Sequence, residues 1–216
     1  MTRPFDPANA HAYPALIGCD EAGRGALCGP VVVAAVWFDP IKVPGALLAA
    51  LDDSKRLSAS KREELALEIT KVAQVAIAAS SAGRIDASNI RLMTLDAMRR
   101  AVQRIPGRAP IRFDGRDVPA GIDRPASAVV RGDATVPQIA AASIIAKTCR
   151  DRLMDRLAAR HPEYGWGENA GYGTAGHLAA LARHGPSRHH RMTFAPMAPP
   201  KPPSSGKRPR ASRTGS

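Results

Sequence analysis

Residues 15–25 read Ala-Leu-Ile-Gly-Cys-Asp-Glu-Ala-Gly-Arg-Gly, an apolar run that ends in two adjacent carboxylates and a glycine-flanked arginine. In apolar surroundings the carboxylates of Asp20 and Glu21 repel each other and lose hydration, and a divalent cation would relieve both penalties. Their hard oxygen ligands suit Mg²⁺ or Mn²⁺. The glycines on either side of Arg24 let the backbone come close to a phosphate or a sugar. The stretch therefore indicates metal-dependent phosphate chemistry at the end of a buried strand.

The composition indicates one sizeable folded domain with a basic surface. The chain has 216 residues, and 44% of them are hydrophobic, so a real core is expected and wholesale disorder is excluded. The net charge of +12 favours a polyanionic partner such as nucleic acid, although a basic surface can also serve solubility alone. Residues 197–216 hold five basic residues and no acid, which leaves about +7 on the rest of the chain.

Cysteine usage and hydropathy favour a reducing compartment. The three cysteines, Cys19, Cys28 and Cys149, are odd in number and share no paired spacing, which argues against a disulfide framework or a zinc site. No apolar stretch approaches membrane-spanning length, and residues 1–12 lack the pattern of a secretion signal. We therefore expect a cytoplasmic protein without a membrane partner.

Strands alternate with helices along the chain, which is typical of an α/β fold. Apolar runs predict a hairpin-like pair of buried strands at 16–19 and 30–38, and shorter strands at 74–80, 110–114 and 126–130. Helices are predicted at 60–72, 88–104 and 174–184, with a further long helix capped by Thr135.

The domain organisation follows from these patterns. We expect an N-terminal extension over residues 1–13 and one domain over 14–197. Residues 198–216 are rich in Pro, Ser, Lys and Arg without periodicity, which predicts a disordered basic tail.

Three aspartates share one feature, because each lies at or just beyond the end of a predicted strand. Carboxylates at the ends of neighbouring strands converge, which would bring together Asp20, Asp114 and Asp133. Alternation along a strand would aim Asp20 and Glu21 at opposite faces, so both reach one cluster only if the backbone turns there. Any single one of these acids could be a turn former, but the four together favour a metal site.

Other candidate residues have a functional and a structural interpretation. Lys55 reads most simply as a surface lysine, and Lys147 could merely pair with Asp151 four residues later. Tyr172 is one of only three tyrosines, and its flanking glycines predict an exposed ring that could stack on a sugar or a base. The histidine pair at 189–190 lacks a metal-binding spacing and is expected on the surface.

Several motifs, in their order along the chain, resemble those of bacterial ribonuclease HII, the type 2 ribonuclease H family. The resemblance runs from about residue 16 to residue 197, which is most of the chain. The most specific motifs are residues 18–25 and the helix at 140–147, which Arg150-Asp151 follows. Weaker motifs in the expected order occupy residues 53–55, 114–115, 131–133, 171–174 and 190–194.

The resemblance implies a ribonuclease H-like fold, with a mixed five-stranded sheet flanked by helices and a helical C-terminal region. It implies cleavage of the RNA strand of RNA–DNA hybrids and cleavage 5′ to single ribonucleotides embedded in DNA. Two-metal hydrolysis with two Mn²⁺ or Mg²⁺ ions would leave a 3′-hydroxyl and a 5′-phosphate. Catalysis and metal binding would fall to Asp20, Glu21, Asp114 and Asp133.

Substrate binding is also implied by the resemblance. The ribose 2′-OH would be read by Gly23, Arg24 and Gly25, since that hydroxyl distinguishes ribose from deoxyribose. Tyr172 would pack on the neighbouring deoxyribose, and Lys55 and Lys147 would support charge neutralisation. The protein is expected to act as a monomer.

This chain departs from the family pattern at three positions, where Arg116 replaces Asn, Arg131 replaces Lys and Gly173 replaces Pro. None of these changes removes an expected metal ligand. Asp151 also aligns with an acid considered catalytic in relatives, so the fourth carboxylate stays open. Two alternatives remain: a metal nuclease of the same fold with a different substrate, and a non-catalytic basic nucleic-acid-binding module.

Overall fold

The computed structural model describes residues 5–51 and 57–198, which form a mixed five-stranded sheet with helices on both faces. The strands are β1 (Leu16–Ala22), β2 (Val31–Phe38), β3 (Gln74–Ser80), β4 (Ile111–Asp114) and β5 (Ala126–Val129). Their order in the sheet is β3-β2-β1-β4-β5. The β1–β2 and β2–β3 pairs are antiparallel, whereas β1–β4 and β4–β5 are parallel. The predicted fold class and the early antiparallel pair are confirmed.

The helices include one that is much longer than the rest. They are α1 (Gly45–Ala50), α2 (Ala59–Val72), α3 (Ala82–Asp86), α4 (Ile90–Val102), α5 (Pro137–Ala158), α6 (Trp166–Asn169) and α7 (Ala175–His184). Short 3₁₀ turns occupy Pro7–Ala12, Gly132–Ala134 and Pro162–Tyr164. The last of these turns, α6 and α7 make up the helical C-terminal region.

Two apolar cores lie on opposite faces of the sheet. On one face, α2 and α5 pack against side chains such as Val36 and Phe38 of β2. On the other face, α4 packs against Val33 and Ala35 of the same strand. Because β2 is covered on both faces, its sequence is almost continuously apolar instead of alternating.

Gly18 allows α5 to approach β1 closely. A Cβ at this position would overlap the backbone of Gln138 and Ile139, at the start of α5. The glycine therefore sets the distance between the strand that carries Asp20 and the helix that carries Ser143.

The starts of two helices differ from the prediction. Helix α2 is capped by Ser58, whose Oγ accepts from the Lys61 N–H at 3.2 Å, so the capping box predicted at Ser60 is wrong. Helix α5 begins at Pro137 with Val136 at the N-cap and without a side-chain cap, so Thr135 does not cap it. The proline ring favours the first helical position by itself, because it fixes φ and lacks the N–H that would need a cap.

Residues 5–13 pack against the domain. Phe5 is fully buried in the core on the α5 face, and its ring meets the Tyr13 ring edge-on at 5.8 Å between centroids. The division into extension, domain and tail stays a prediction, and nearly all of the predicted tail lies outside the described residues. Across residues 5–51 and 57–198, no helix is both long enough and apolar enough to cross a bilayer.

Candidate active site

One cavity of about 260 Å³ gathers the predicted site residues at the carboxyl ends of β1 and β4. It is lined by Asp20, Glu21, Ala22, Gly23, Arg24, Gly25, Asp114, Asp133, Ser143, Lys147 and Tyr172. The lining includes all the metal and substrate-binding candidates named above except Lys55, which lies outside the described residues, and Asp151, the open alternative, is not part of it. Residues that are far apart in the chain, from Asp20 to Tyr172, thus line one cavity.

The parallel part of the sheet explains why the aspartates converge. Strands β1 and β4 are parallel neighbours, and so are β4 and β5, so all three carboxyl ends point to one edge. Asp114 ends β4, and the 3₁₀ turn after β5 carries Asp133. The Gly132 N–H donates to Asp114 Oδ1 at 2.7 Å, which ties the two strand ends together.

Asp20 and Glu21 reach the cavity although the backbone does not turn between them. Strand β1 continues through Ala22, so the turn expected at Glu21 is absent. Strand β4 pairs with β1 only from Ile17 to Cys19, which leaves space beside the next two residues. Asp20 faces α5 and accepts a hydrogen bond from Ser143, while Glu21 accepts from Arg24 Nη1 at 3.2 Å.

The pKa of the Asp20 carboxyl is strongly perturbed. Its residue is 6% exposed, and burial raises its pKa well above the ordinary value. The charges of Glu21 and Asp114 raise that pKa further, against the lowering effect of hydrogen bonds from the Glu21 N–H and Ser143. This carboxylate therefore lacks a compensating positive charge, which a divalent cation would supply.

The donor set fits Mg²⁺ or Mn²⁺, since the acids that line the cavity offer only hard oxygen ligands. Within residues 5–51 and 57–198, no three His, Cys, Asp or Glu side chains already form a cluster able to hold an ion. Mg²⁺ commonly keeps several waters and is bound by one or two protein carboxylates together with substrate phosphates.

Two buried arginines support the Gly-Arg-Gly turn (residues 23–25) and the loop that follows it. The sequence analysis gave neither arginine a role. Arg150 Nε donates to Pro30 O at 3.1 Å, and its Nη2 donates to Cys28 O at 3.2 Å. Arg191 donates to the carbonyl oxygens of Gly23 and Arg24 at 2.7 and 2.8 Å. Burial lowers the pKa of both guanidiniums, to about 10 for Arg191. An arginine guanidinium in a protein stays charged at neutral pH.

Position 23 requires a glycine for its backbone conformation and for its close contact with Arg150. Its φ of +88° lies in the left-handed region, and a Cβ would overlap the Arg150 side chain. The backbone of the Gly-Arg-Gly turn therefore rests directly on a guanidinium group.

Tyr172 is exposed as predicted, with 38% of its surface accessible, and a histidine network fixes its backbone. His177 Nδ1 lies 2.9 Å from Tyr172 O and donates to it, so His177 Nε2 accepts from Trp166 Nε1 at 3.0 Å. His190 Nδ1 accepts from the Ser187 N–H at 2.9 Å, so its Nε2 donates to His177 Nε2 at 3.1 Å. Both imidazoles are therefore engaged through both of their ring nitrogens.

The surface position predicted for His190 is wrong, because that residue is 1% exposed. It packs on the rings of Tyr164 and Trp166, at 4.9 and 5.5 Å between centroids, in a small core of the C-terminal region. Nothing in the local sequence links His190 to Tyr164 and Trp166, which lie 26 and 24 positions earlier in the chain.

Lys147 and Asp151 form the pair suggested by their spacing. Lys147 Nζ lies 2.6 Å from Asp151 Oδ1, and Arg62 Nη2 lies 3.0 Å from Asp151 Oδ2. Lys147 lines the cavity, whereas Asp151 does not. Asp151 therefore joins α5 to α2 and orients the lysine.

Comparison with known proteins places this geometry in a family. The family model described as ribonuclease HII matches residues 17–197. The ribonuclease HII of Rhizobium johnstonii is 52% identical over 181 residues, which cover 83% of this chain and 77% of that protein.

Two solved structures share the fold. Ribonuclease H2 from Pyrococcus horikoshii superposes with a TM-score of 0.71 at 24% identity and covers 85% of this chain and 95% of its own. Bst ribonuclease HIII, solved in complex with Mn²⁺, has a TM-score of 0.67 at 23% identity and covers 87% of this chain and 70% of its own.

Proposed function

The chain belongs to the ribonuclease HII family and is a metal-dependent ribonuclease H hydrolase, and from this premise we propose its substrates and mechanism. It hydrolyses the RNA strand of RNA–DNA hybrids and cuts on the 5′ side of single ribonucleotides embedded in DNA. The observation that carries the proposal is the convergence of four carboxylates, the Gly-Arg-Gly turn and Tyr172 on one cavity. Because the chain belongs to an enzyme family, the alternative of a non-catalytic binding module is rejected.

Two divalent ions, Mn²⁺ or Mg²⁺, would be held by Asp20, Glu21, Asp114 and Asp133. Ions bound there would supply a more acidic water as nucleophile and positive charge to stabilise the leaving 3′-oxygen. The buried, charge-repelled carboxyl of Asp20 supports this assignment, and the Mn²⁺ complex of Bst ribonuclease HIII is consistent with it.

The chain's own groups position the substrate. The Gly-Arg-Gly turn brings backbone polar groups close to the ribose, where the 2′-OH can be read. Arg24, whose side chain is 51% exposed, and Lys147 supply positive charge toward the phosphate, with Lys55 in the same supporting role. Tyr172 offers its ring to the deoxyribose that follows the ribonucleotide. The protein acts as a monomer in the cytoplasm.

The test is a cleavage assay on an end-labelled DNA duplex that contains one ribonucleotide, with Mg²⁺, Mn²⁺ or a chelator. We expect a cut 5′ to the ribonucleotide that the chelator abolishes. Asp20→Asn should abolish turnover and leave the fold intact, since Asn keeps an acceptor for the Glu21 N–H without the buried charge. Asp123→Asn is the matched control, because that carboxylate is 88% exposed and lies away from the cavity.

The outcomes separate the parts of the proposal. Cleavage of a long hybrid without cleavage at the single ribonucleotide would remove the junction-reading role of Tyr172. Near-normal activity of Asp20→Asn at matched metal concentration would remove Asp20 from the mechanism. Absence of cleavage on both substrates would refute the proposed function.

A further inference from the structure

Arg150 connects three parts of the site from a fully buried position. It projects from α5, the helix that also carries Ser143 and Lys147, and it is 1% exposed. Its guanidinium donates to carbonyl oxygens of Cys28 and Pro30, in the loop that follows the Gly-Arg-Gly turn. The backbone of that turn rests on the same side chain.

The Tyr172 ring also contacts this guanidinium. The Arg150 Cζ atom is 5.3 Å from the centroid of the Tyr172 ring, within the range of a cation–π contact. One backbone hydrogen bond, from Leu27 N to Gly171 O at 2.8 Å, joins the two loops beside it. A single side chain therefore touches both the segment that faces the ribose and the ring that faces the next sugar.

Burial of the Arg150 guanidinium costs more free energy than burial of an apolar side chain would. Among the residues that the structure describes, Arg150 forms no ion pair with a carboxylate, and its Nη1 is buried without a hydrogen-bond partner. A buried guanidinium held only by carbonyl oxygens and one ring is harder to desolvate than an apolar side chain of similar volume. The charge and the hydrogen-bonding geometry of the Arg150 guanidinium therefore indicate a role beyond filling space in the core.

We propose that Arg150 is a positioning residue that holds the Gly-Arg-Gly turn and the Tyr172 ring at a fixed separation, and thereby sets the preference for a ribonucleotide followed by DNA. The inference rests on the proposed function, because it concerns substrate choice at the same site. A long hybrid presents the 2′-OH but no deoxyribose on the cut strand. Only the junction substrate needs both recognition elements at the correct spacing.

Arg191 provides the matched control within the chain. It is also buried, and it holds the Gly-Arg-Gly turn through the carbonyl oxygens of Gly23 and Arg24. Its guanidinium stacks on Phe194, at 5.1 Å from the ring centroid. Loss of its fork should therefore disturb reading of the 2′-OH, which both substrates share, while the contact between Arg150 and the Tyr172 ring stays in place.

The experiment compares kcat and KM on two substrates, a duplex with one ribonucleotide and a uniform RNA–DNA hybrid, at one Mn²⁺ concentration. Arg150→Lys and Arg150→Gln should each lower kcat/KM on the single-ribonucleotide duplex about tenfold more than on the hybrid. Arg191→Lys should lower both by the same factor. Melting temperatures confirm that the compared variants are folded.

A double-mutant cycle distinguishes positioning from a general structural effect. If Arg150 acts through Tyr172, adding Arg150→Lys to Tyr172→Ala should leave the ratio of the two kcat/KM values unchanged. A further fall of that ratio, or equal losses on both substrates in the Arg150 single variants, would overturn the inference. Those results would leave the proposed function intact, whereas a wild-type protein that cleaves neither substrate would refute that function itself.

Discussion

Acid should destabilise this protein through His190, and a substitution there should remove the effect. Burial lowers the pKa of His190 from its ordinary 6.5 to about 4, and the nearby His177 ring adds to this shift. Burial explains the direction, because a charged ring in this core would lose its hydration and would lie close to other imidazoles. The native state therefore resists protonation that the unfolded chain accepts.

Proton linkage gives the direction and the size of the change in the free energy of unfolding with pH. Between pH 6.5 and about 4 the unfolded chain binds a proton at His190 that the native state does not, so stability is present above 6.5 and is lost as the pH falls. The shift corresponds to about 3 kcal/mol in total, of which about 2.5 kcal/mol is lost between about pH 7.5 and about pH 4.5.

The assay is urea unfolding of the wild type and of His190→Gln across this pH range. The variant loses ring packing and is expected to be less stable near neutral pH, but its stability should fall less steeply toward acid. His189, whose pKa is also lowered, and Asp20, whose raised pKa acts in the opposite direction, are present in both proteins and cancel in the difference. His184→Gln controls for removal of an imidazole from the exposed end of α7. Parallel pH profiles for wild type and His190→Gln would refute the reasoning.

Three further predictions concern the site, the fold and the tail. Tyr172→Ala should lower cleavage at a single ribonucleotide about tenfold more than cleavage of a long hybrid, because stacking is lost, and equal losses would contradict this role. Gly18→Ala should cost about 3 kcal/mol or more in urea unfolding because its Cβ meets backbone of α5, whereas Gly83→Ala, where a Cβ meets open space, should be nearly neutral. Removal of residues 198–216 should make the salt dependence of substrate binding shallower through lost phosphate contacts, and an unchanged slope would leave the tail without that role.

The α/β class and the acids that line the cavity could be predicted from the sequence because their signals are local. A buried strand is recognisable from its own apolar run, and Asp20 and Asp114 stand at the ends of such runs. The parallel neighbours then bring those ends together, as the rule for carboxyl edges of sheets requires. Element boundaries were less certain, since both Ser58 and Ser60 are adequate caps and only the surrounding contacts select one.

The support behind the site was decided by tertiary structure alone. Arg191 binds the Gly-Arg-Gly turn across 167 or more positions, and Arg150 binds its loop across 120 or more. The partners of both arginines are backbone carbonyl oxygens, which every residue carries. No pattern of side chains in the sequence therefore predicts these contacts. His190 is buried for a similar reason, because its neighbours arrive from separate segments of the C-terminal region. The sequence by itself determined which groups are proposed for the chemistry, since these are particular side chains at strand ends. Only the folded chain decided what holds those groups in place, because long-range contacts to the backbone leave no local trace.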